Sequence, residues 1–394
     1  MAIGFCLKGC IDMSDRDLLL MCGDSIVMTI NMNKKVFSVK NYKLMPYQIR
    51  SSIWRNELKY INGMDIDEYA VKKAQEMSDK QSNLLEFLSG RVLSIDRKNA
   101  KQILNAMLIT QGQDIMSKFK VSLLCRSVSV LDNYWIKLEG DSTKWEDINV
   151  RENSLNKIVA HVALHGTSLT LQGVVTTPEL TTHGAYAKCW RRENGKLYLI
   201  KAGNERGLEP KLEIQASRVL DKTNVRHIVY EPTTSNGLFC SKCECMTNNN
   251  ISLIDARDFM KYCTNNNLNV KEAVFKIDSD MMYKMGIVDY IIGNSDRHDG
   301  NWGFLYSSET MRILGCHPLY DHNNAFNAYI LANDDKAKYV FNGENMLEWA
   351  RYCVKNTDFR FIAPLKRSDF YFDYHCDAVA ERASKLGIAV KIEK

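Results

Sequence analysis

The chain has 394 residues, of which 45% are hydrophobic and 25% charged, so it is long enough for more than one globular domain. Its formal net charge of +5 is too small to predict a nucleic-acid surface, which usually needs a clustered basic face. No apolar run is long enough for a membrane span, and Met1–Phe5 lacks the basic head and long apolar run of a secretion signal.

The first 155 residues are predicted to form an accessory region without recognisable chemistry. Residues 25–31 and 36–41 show the alternation of a small β-hairpin. Residues 65–93 predict a helix, and residues 98–125 are expected to form a continuous second helix. We place the end of this region at residue 155, where the chain becomes polar.

A second hairpin and a helix are predicted next. Residues 185–191 and 196–201 are rich in strand formers, and Asn194-Gly195 between them is a strong hairpin signal. A helix is expected to begin near Pro210, because proline suits the first helical position. Its predicted apolar face consists of Leu212, Ala216, Val219 and Leu220.

The twelve cysteines are scattered, and their one cluster is Cys240, Cys243 and Cys245. A chain of this size does not need disulfides, so we expect reduced thiols and a cytoplasmic location. A zinc site is the alternative for the cluster. It would need Cys263 or His227 as a fourth ligand, and the cluster contains only one Cys-x-x-Cys pair.

A buried helix is predicted before residue 293, where Gly293 is a natural helix stop. Residues 302–306 and 311–314 then predict a hairpin, and residues 343–352 and 377–386 predict two later helices. The apolar stripe of the buried helix consists of Met281, Met285, Val288 and Ile292.

The loop after this helix carries the chemistry. Asp296 and Asn301 lie five positions apart on it, and Asp321 follows the predicted hairpin. Phosphoryl transfer needs a group that orients the acceptor and groups that neutralise charge. We assign Asp296 to the acceptor proton, and Asn301 and Asp321 to magnesium, which prefers oxygen ligands.

The alternative for these residues is an ordinary turn. Asp, Asn and Gly are common between a helix and a strand, and a solvated turn carboxylate such as Asp296 needs no function. The full pattern Asp296-Arg297-His298 with Asn301, Gly303 and a downstream Asp321 is much harder to explain by chance, so we favour the functional interpretation.

Residues 173–332 resemble the HipA-like serine/threonine kinases of bacterial toxin–antitoxin systems, including the CtkA-type kinases. They are similar, more distantly, to phosphoinositide 3- and 4-kinases, which share the Asp-Arg-His-x-x-Asn string. The resemblance implies an α+β, two-lobed protein-kinase-like fold in residues 156–394. Its β-rich N-lobe would span residues 160–235 and its helical C-lobe residues 236–394, after an N-terminal β-hairpin and helical accessory region.

The resemblance also implies a lysine that grips the phosphates of ATP. We choose Lys201, at the end of an apolar strand, over its rival Lys188 on the neighbouring strand. Gly184, with Thr181 and Thr182, would form the loop over the phosphates. This loop has one glycine, unlike the glycine-rich pattern of protein kinases.

Three further residues have two interpretations each. Glu213 pairs with Lys201, as a helix glutamate does in protein kinases, or is an exposed residue of the first helical turn. His298 braces the loop by hydrogen bonds or adds an electrostatic contribution. Arg297 pairs with a local acid or contacts a phosphate.

We therefore expect ATP- and magnesium-dependent phosphoryl transfer to Ser/Thr of a protein substrate. The resemblance adds autophosphorylation at Thr181 or Thr182 and a helix-turn-helix antitoxin partner. The alternatives are a lipid or small-molecule kinase, suggested by Asp296-Arg297-His298, and a pseudokinase that binds nucleotide without turnover.

Overall fold

A computed structural model describes residues 17–31, 33–55, 59, 64–171, 176–204, 206–333 and 336–393. The predictions for Met1–Phe5 and for the start of the kinase-like segment at residue 173 lie outside these residues. The chain divides into two compact units, residues 1–185 with 247–252 and 308–311, and residues 186–246 with 253–307 and 312–394. The mixed α+β class is confirmed.

The first unit combines one antiparallel sheet with helices. The strands are ordered β3-β2-β1-β4, and their inner positions supply buried residues such as Leu20, Met28 and Trp135. Its elements are β1 (Leu18–Cys22), β2 (Ser25–Asn31), β3 (Val36–Val39), α1 (Ile66–Ser89), α2 (Ala100–Ala106), α3 (Ile115–Leu124), β4 (Tyr134–Leu138), α4 (Trp145–Ile148) and α5 (Lys157–His165).

The structure confirms the predicted hairpin, which consists of β2 and β3. It also confirms the first predicted helix as α1, where the side chain of the N-cap Asp65 accepts from the backbone N–H of Asp67. The continuous helix predicted over residues 98–125 is wrong. The chain leaves the helix after α2, and Leu108 has φ +57°, a left-handed conformation that a helix cannot contain. The segment is therefore two shorter helices, α2 and α3.

The second unit contains the residues predicted to carry the chemistry. Its sheets are ordered β5-β6-β8-β7, β11-β10-β9 and β12-β13, and the first two residues of β9 belong to the first unit. Its elements are β5 (Lys188–Glu193), β6 (Lys196–Ala202), α6 (Leu208–Leu220), β7 (Glu231–Ser235), β8 (Leu238–Glu244), β9 (Ile251–Asp255), α7 (Ala256–Asn265), α8 (Val270–Ile291), β10 (Gly303–Ser307), β11 (Ile313–Cys316), α9 (Ala328–Ala332), α10 (Met346–Val354), β12 (Leu365–Lys366), α11 (Asp373–Lys385) and β13 (Ile392–Glu393).

Two local signals position the site. Asn194 and Gly195 both have positive φ and turn β5 into β6, so Lys188 pairs directly with Lys201. Gly293, with φ +60°, follows the C-cap of α8 and releases the chain into the loop that carries Asp296. The predicted lobe division after residue 235 falls in the turn between β7 and β8. These two strands pair with each other, and β8 also pairs with β6, so all three strands belong to one sheet.

The ten cysteines among the described residues are free thiols, and nine are buried. Cys240 and Cys243 lie three positions apart on β8, so their side chains point to opposite faces of the sheet. No group of three His, Cys, Asp or Glu side chains in the described part of the chain could hold a metal, so the zinc alternative has no support there. Nor does any described helix have the length and apolar character to cross a membrane.

Candidate functional site

Arg297 anchors the loop between α8 and β10. Its guanidinium forms a two-point ion pair with Asp289 of α8, with Nε–Oδ2 and Nη2–Oδ1 distances of 2.9 Å, and both side chains are fully buried. Burial alone would lower the pKa of Arg297, but the charge of Asp289 raises it, so the arginine stays charged. Of the two predicted roles for Arg297, the structure therefore shows pairing with a local acid.

The same guanidinium joins the two segments that carry the predicted metal ligands. Arg297 Nη1 donates to the backbone oxygen of Asn301 at 2.5 Å and to that of Tyr320 at 2.8 Å. Because one nitrogen contacts both carbonyls, Asn301 and the residue before Asp321 are held side by side. A single buried arginine thus sets the spacing between two distant parts of the sequence.

Asp321 adopts a strained backbone. Its φ of +58° lies in the left-handed region, which costs roughly 1–2 kcal/mol for a residue other than glycine. The conformation is supported on both sides: Arg297 binds the preceding carbonyl, and the Asp321 N–H donates to the Tyr230 hydroxyl at 3.3 Å. Strain that the surroundings maintain in this way is common at functional sites.

Asp296 is fixed by hydrogen bonds but remains accessible. Its Oδ2 accepts from Asn324 Nδ2 at 2.8 Å, and its backbone N–H donates to Asn294 Oδ1 at 3.2 Å. Asn301 Nδ2 donates to the Asp296 carbonyl at 2.7 Å. Because 37% of the Asp296 side chain is exposed, its carboxylate can still meet an acceptor hydroxyl.

His298 lies on the exposed side of the same loop. Its Nδ1 accepts from the Gly300 N–H at 3.0 Å, and its Nε2 is 3.9 Å from Asp296 Oδ1. The first contact is a hydrogen bond and the second is too long to be one. This geometry agrees with the bracing role predicted for His298 and leaves its Nε2 facing the carboxylate.

Lys201 joins the β-sheet, α6 and the Asp321 segment. Its Nζ lies 2.6 Å from Glu213 Oε1 and 2.9 Å from Asp321 Oδ1. Ser241 Oγ donates to the other oxygen of Glu213 at 2.7 Å. The pairing of Glu213 with Lys201 is therefore present, and Glu213 is buried, not exposed as in the alternative interpretation.

Lys201, Asp321 and Glu213 shift one another's pKa values. Burial alone would lower the pKa of Lys201, but Asp321 and Glu213 raise it well above its usual value, so Lys201 stays protonated. Burial alone would raise the pKa of Asp321, but Lys201 and then Lys188 hold it well below its usual value. Burial raises the pKa of Glu213 despite the opposing charge of Lys201. Asp321 is thus the ionised partner of Lys201 in this group.

A small cleft opens beside Lys201. Lys188 reaches it too, since residues paired directly across β5 and β6 face the same side of the sheet. The rival lysines of the sequence therefore lie next to each other. The cleft is lined by Tyr186, Lys188, Lys201, Ala202, Glu209, Pro210, Glu213 and Asn323.

Thr181, Thr182 and Gly184 belong to the first unit, whereas the cleft belongs to the second. Both threonines are buried, and their hydroxyls donate to the Pro178 carbonyl, at 3.3 Å from Thr181 and 2.6 Å from Thr182. Gly184 has φ +102°, which favours glycine. Their role over the phosphates stays a prediction.

Sequence reasoning missed several residues that support the site. Asp289 interrupts the apolar run of residues 285–292 at the end of α8, and this buried charge was the available signal for a partner of Arg297. Asn294 binds both Asp289 and the Asp296 N–H, and Asn324 orients Asp296. No pattern in the sequence singled out either asparagine.

Of the two predicted magnesium ligands, Asp321 contacts Lys201, with 2.9 Å between Asp321 Oδ1 and Lys201 Nζ. Asp321 supplies a carboxylate and Asn301 an amide, and magnesium is usually held by few protein oxygens together with phosphate and water. Asn323 lines the cleft beside Lys201, and its Oδ1 is buried without a hydrogen-bond partner. An unsatisfied acceptor beside a carboxylate is what a cation site would contain.

No family model and no curated protein sequence matches the chain. Among solved structures, it is similar to the Helicobacter pylori proinflammatory kinase CtkA, at 16% identity and a TM-score of 0.35 over 50% of this chain and 90% of that one. It is also similar to the Shewanella oneidensis MR-1 toxin–antitoxin complex of HipA, HipB and operator DNA, at 11% identity and a TM-score of 0.48 over 94% and 95%. Both TM-scores are too low to assign a family or a function.

Proposed function

We propose that this protein is a kinase that transfers a phosphoryl group from ATP, with magnesium, to serine or threonine of a protein. The observation that carries the proposal is the arrangement around Lys201, a buried lysine bound to both a helix glutamate and the strained Asp321. Arg297 attaches the loop of Asp296 to the same segment. A lysine, a metal-binding carboxylate and an acceptor-orienting carboxylate are the parts that phosphoryl transfer needs.

Each residue has a defined task in this proposal. Lys201 holds the nucleotide phosphates, and Glu213 keeps the lysine in place. Asn301 and Asp321 hold magnesium, which when bound neutralises charge on the phosphates. Asp296, oriented by Asn324, accepts the proton of the acceptor hydroxyl, and His298 braces the loop. The assignment of Gly184, Thr181 and Thr182 to a loop over the phosphates stays a prediction from the resemblance.

The acceptor class is open to a direct test. Labelled ATP is incubated with the protein and either a protein mixture or phosphoinositide vesicles. Label in proteins supports the proposal, and label in lipid alone favours the lipid kinase. An antitoxin partner of the helix-turn-helix type and the cytoplasmic location remain predictions from the resemblance and the sequence.

Replacing Lys201 by methionine should weaken ATP binding at least about tenfold, because the variant loses a buried charge that faces the phosphates. Calorimetric titration of wild type and variant with ATP, with and without magnesium, measures the effect. Lys355→Met, at an exposed position, is the matched control and should bind as wild type does. Equal ATP affinity of wild type and Lys201→Met would contradict the role of Lys201. Tight ATP binding by the wild-type protein without any phosphoryl transfer would favour the pseudokinase.

Autophosphorylation at Thr181 or Thr182 is a second expectation. Both hydroxyls are buried against Pro178, so the segment must open before either can accept a phosphoryl group. Mass spectrometry after incubation with Mg-ATP should show a phosphate on one threonine in wild type and none in Asp296→Asn. Unmodified threonines in an otherwise active protein would remove this expectation.

A further inference from the structure

We infer that Asn323 is a third protein ligand of the metal, an inference that rests on the proposed function. Asn323 lies two positions after Asp321 and lines the cleft together with Lys188, Lys201 and Glu213. The Asn323 side chain is therefore one of those that would meet the nucleotide phosphates and their cation in the proposed function.

The state of this oxygen carries the inference. Asn323 Oδ1 is buried and has no hydrogen-bond partner, whereas the next amide in the chain, that of Asn324, binds Asp296 at 2.8 Å. A buried acceptor without a partner is unfavourable, and a bound cation would satisfy it. Amide oxygens are ordinary ligands of magnesium and manganese.

The neighbouring charges favour a cation ligand. Asp321, two positions earlier, has its Oδ1 2.9 Å from Lys201 Nζ. Asn323 adds an oxygen without adding negative charge to a cleft that is already lined by Glu209 and Glu213. One carboxylate and two amides give a weakly charged site that leaves positions for phosphate oxygens and water.

Manganese binding tests this role without measuring turnover. Manganese is titrated into the protein with a non-hydrolysable ATP analogue, and the free ion is counted by electron paramagnetic resonance. Asn323→Ala should raise the dissociation constant of manganese at least about tenfold, the scale on which metal sites respond to lost partners. Asn323→Asp, which keeps an oxygen there, should restore most of the affinity. Binding of the analogue in the presence of a chelator should be the same in wild type and Asn323→Ala.

Asn356→Ala is the matched control, because it removes an exposed amide that contacts only the Tyr352 carbonyl near the end of α10. It should bind manganese as wild type does. Wild-type affinity in Asn323→Ala would overturn the inference and leave the proposed function intact. Wild-type protein that binds no manganese with the analogue would overturn both.

Discussion

Asp296→Asn should lower the rate of phosphoryl transfer by about 10²–10⁴-fold, the usual contribution of a positioned general base. The substitution is nearly isosteric and leaves the oxygen that can accept from Asn324 Nδ2. ATP affinity should change little, because Asp296 faces the acceptor in the proposed mechanism. Rapid-quench measurement of labelled phosphate transfer, together with calorimetry, separates the two effects.

Asp299→Asn is the control for this experiment, since it removes a carboxylate from the same loop. Its backbone oxygen accepts from the Arg257 N–H, and that contact does not depend on the side chain. The control should retain transfer close to the wild-type rate. Full activity in Asp296→Asn would show that Asp296 does not act on the acceptor.

Arg297→Met should lower the free energy of unfolding by about 3–5 kcal/mol, because it leaves the buried Asp289 carboxylate without its charged partner. It should also abolish transfer, since Arg297 joins Asn301 to the segment of Asp321. Denaturation in urea, followed by tryptophan fluorescence, measures the stability.

Two further variants test whether the loss of stability comes from the broken Arg297–Asp289 ion pair. Arg257→Met removes an exposed arginine and should change stability by less than about 0.5 kcal/mol. Arg297→Met combined with Asp289→Asn should be less destabilised than the sum of the single variants, because neither charge is then buried alone. Strict additivity would show that the two residues do not interact in the folded state.

Local signals made much of the second unit predictable. Asn194-Gly195 determined the turn between β5 and β6 and therefore the strand that delivers Lys201. The stripe of α8 and the stop at Gly293 placed the loop of Asp296 correctly. These features depend on residues close in sequence, whose conformational preferences act without the rest of the fold.

Contacts between distant residues could not be predicted in the same way. Asn324 binds Asp296 across 28 residues of sequence, and the left-handed Asp321 follows a carbonyl that Arg297 binds. β1 and β4 were not predicted as strands, and β4 pairs only with β1 in this sheet, more than a hundred residues earlier in the chain. The break after α2 was missed because the apolar pattern continues past Leu108.

The position of a bound cation tests the central claim most directly. A crystal structure with manganese and a non-hydrolysable ATP analogue should show an anomalous peak about 2.2 Å from oxygens of Asn301 and Asp321. Lys201 should contact the phosphates in the same crystals. Nucleotide and manganese bound elsewhere, with Lys201 still paired to Asp321 and no cation beside it, would contradict the assignment of this cleft as a phosphoryl-transfer site.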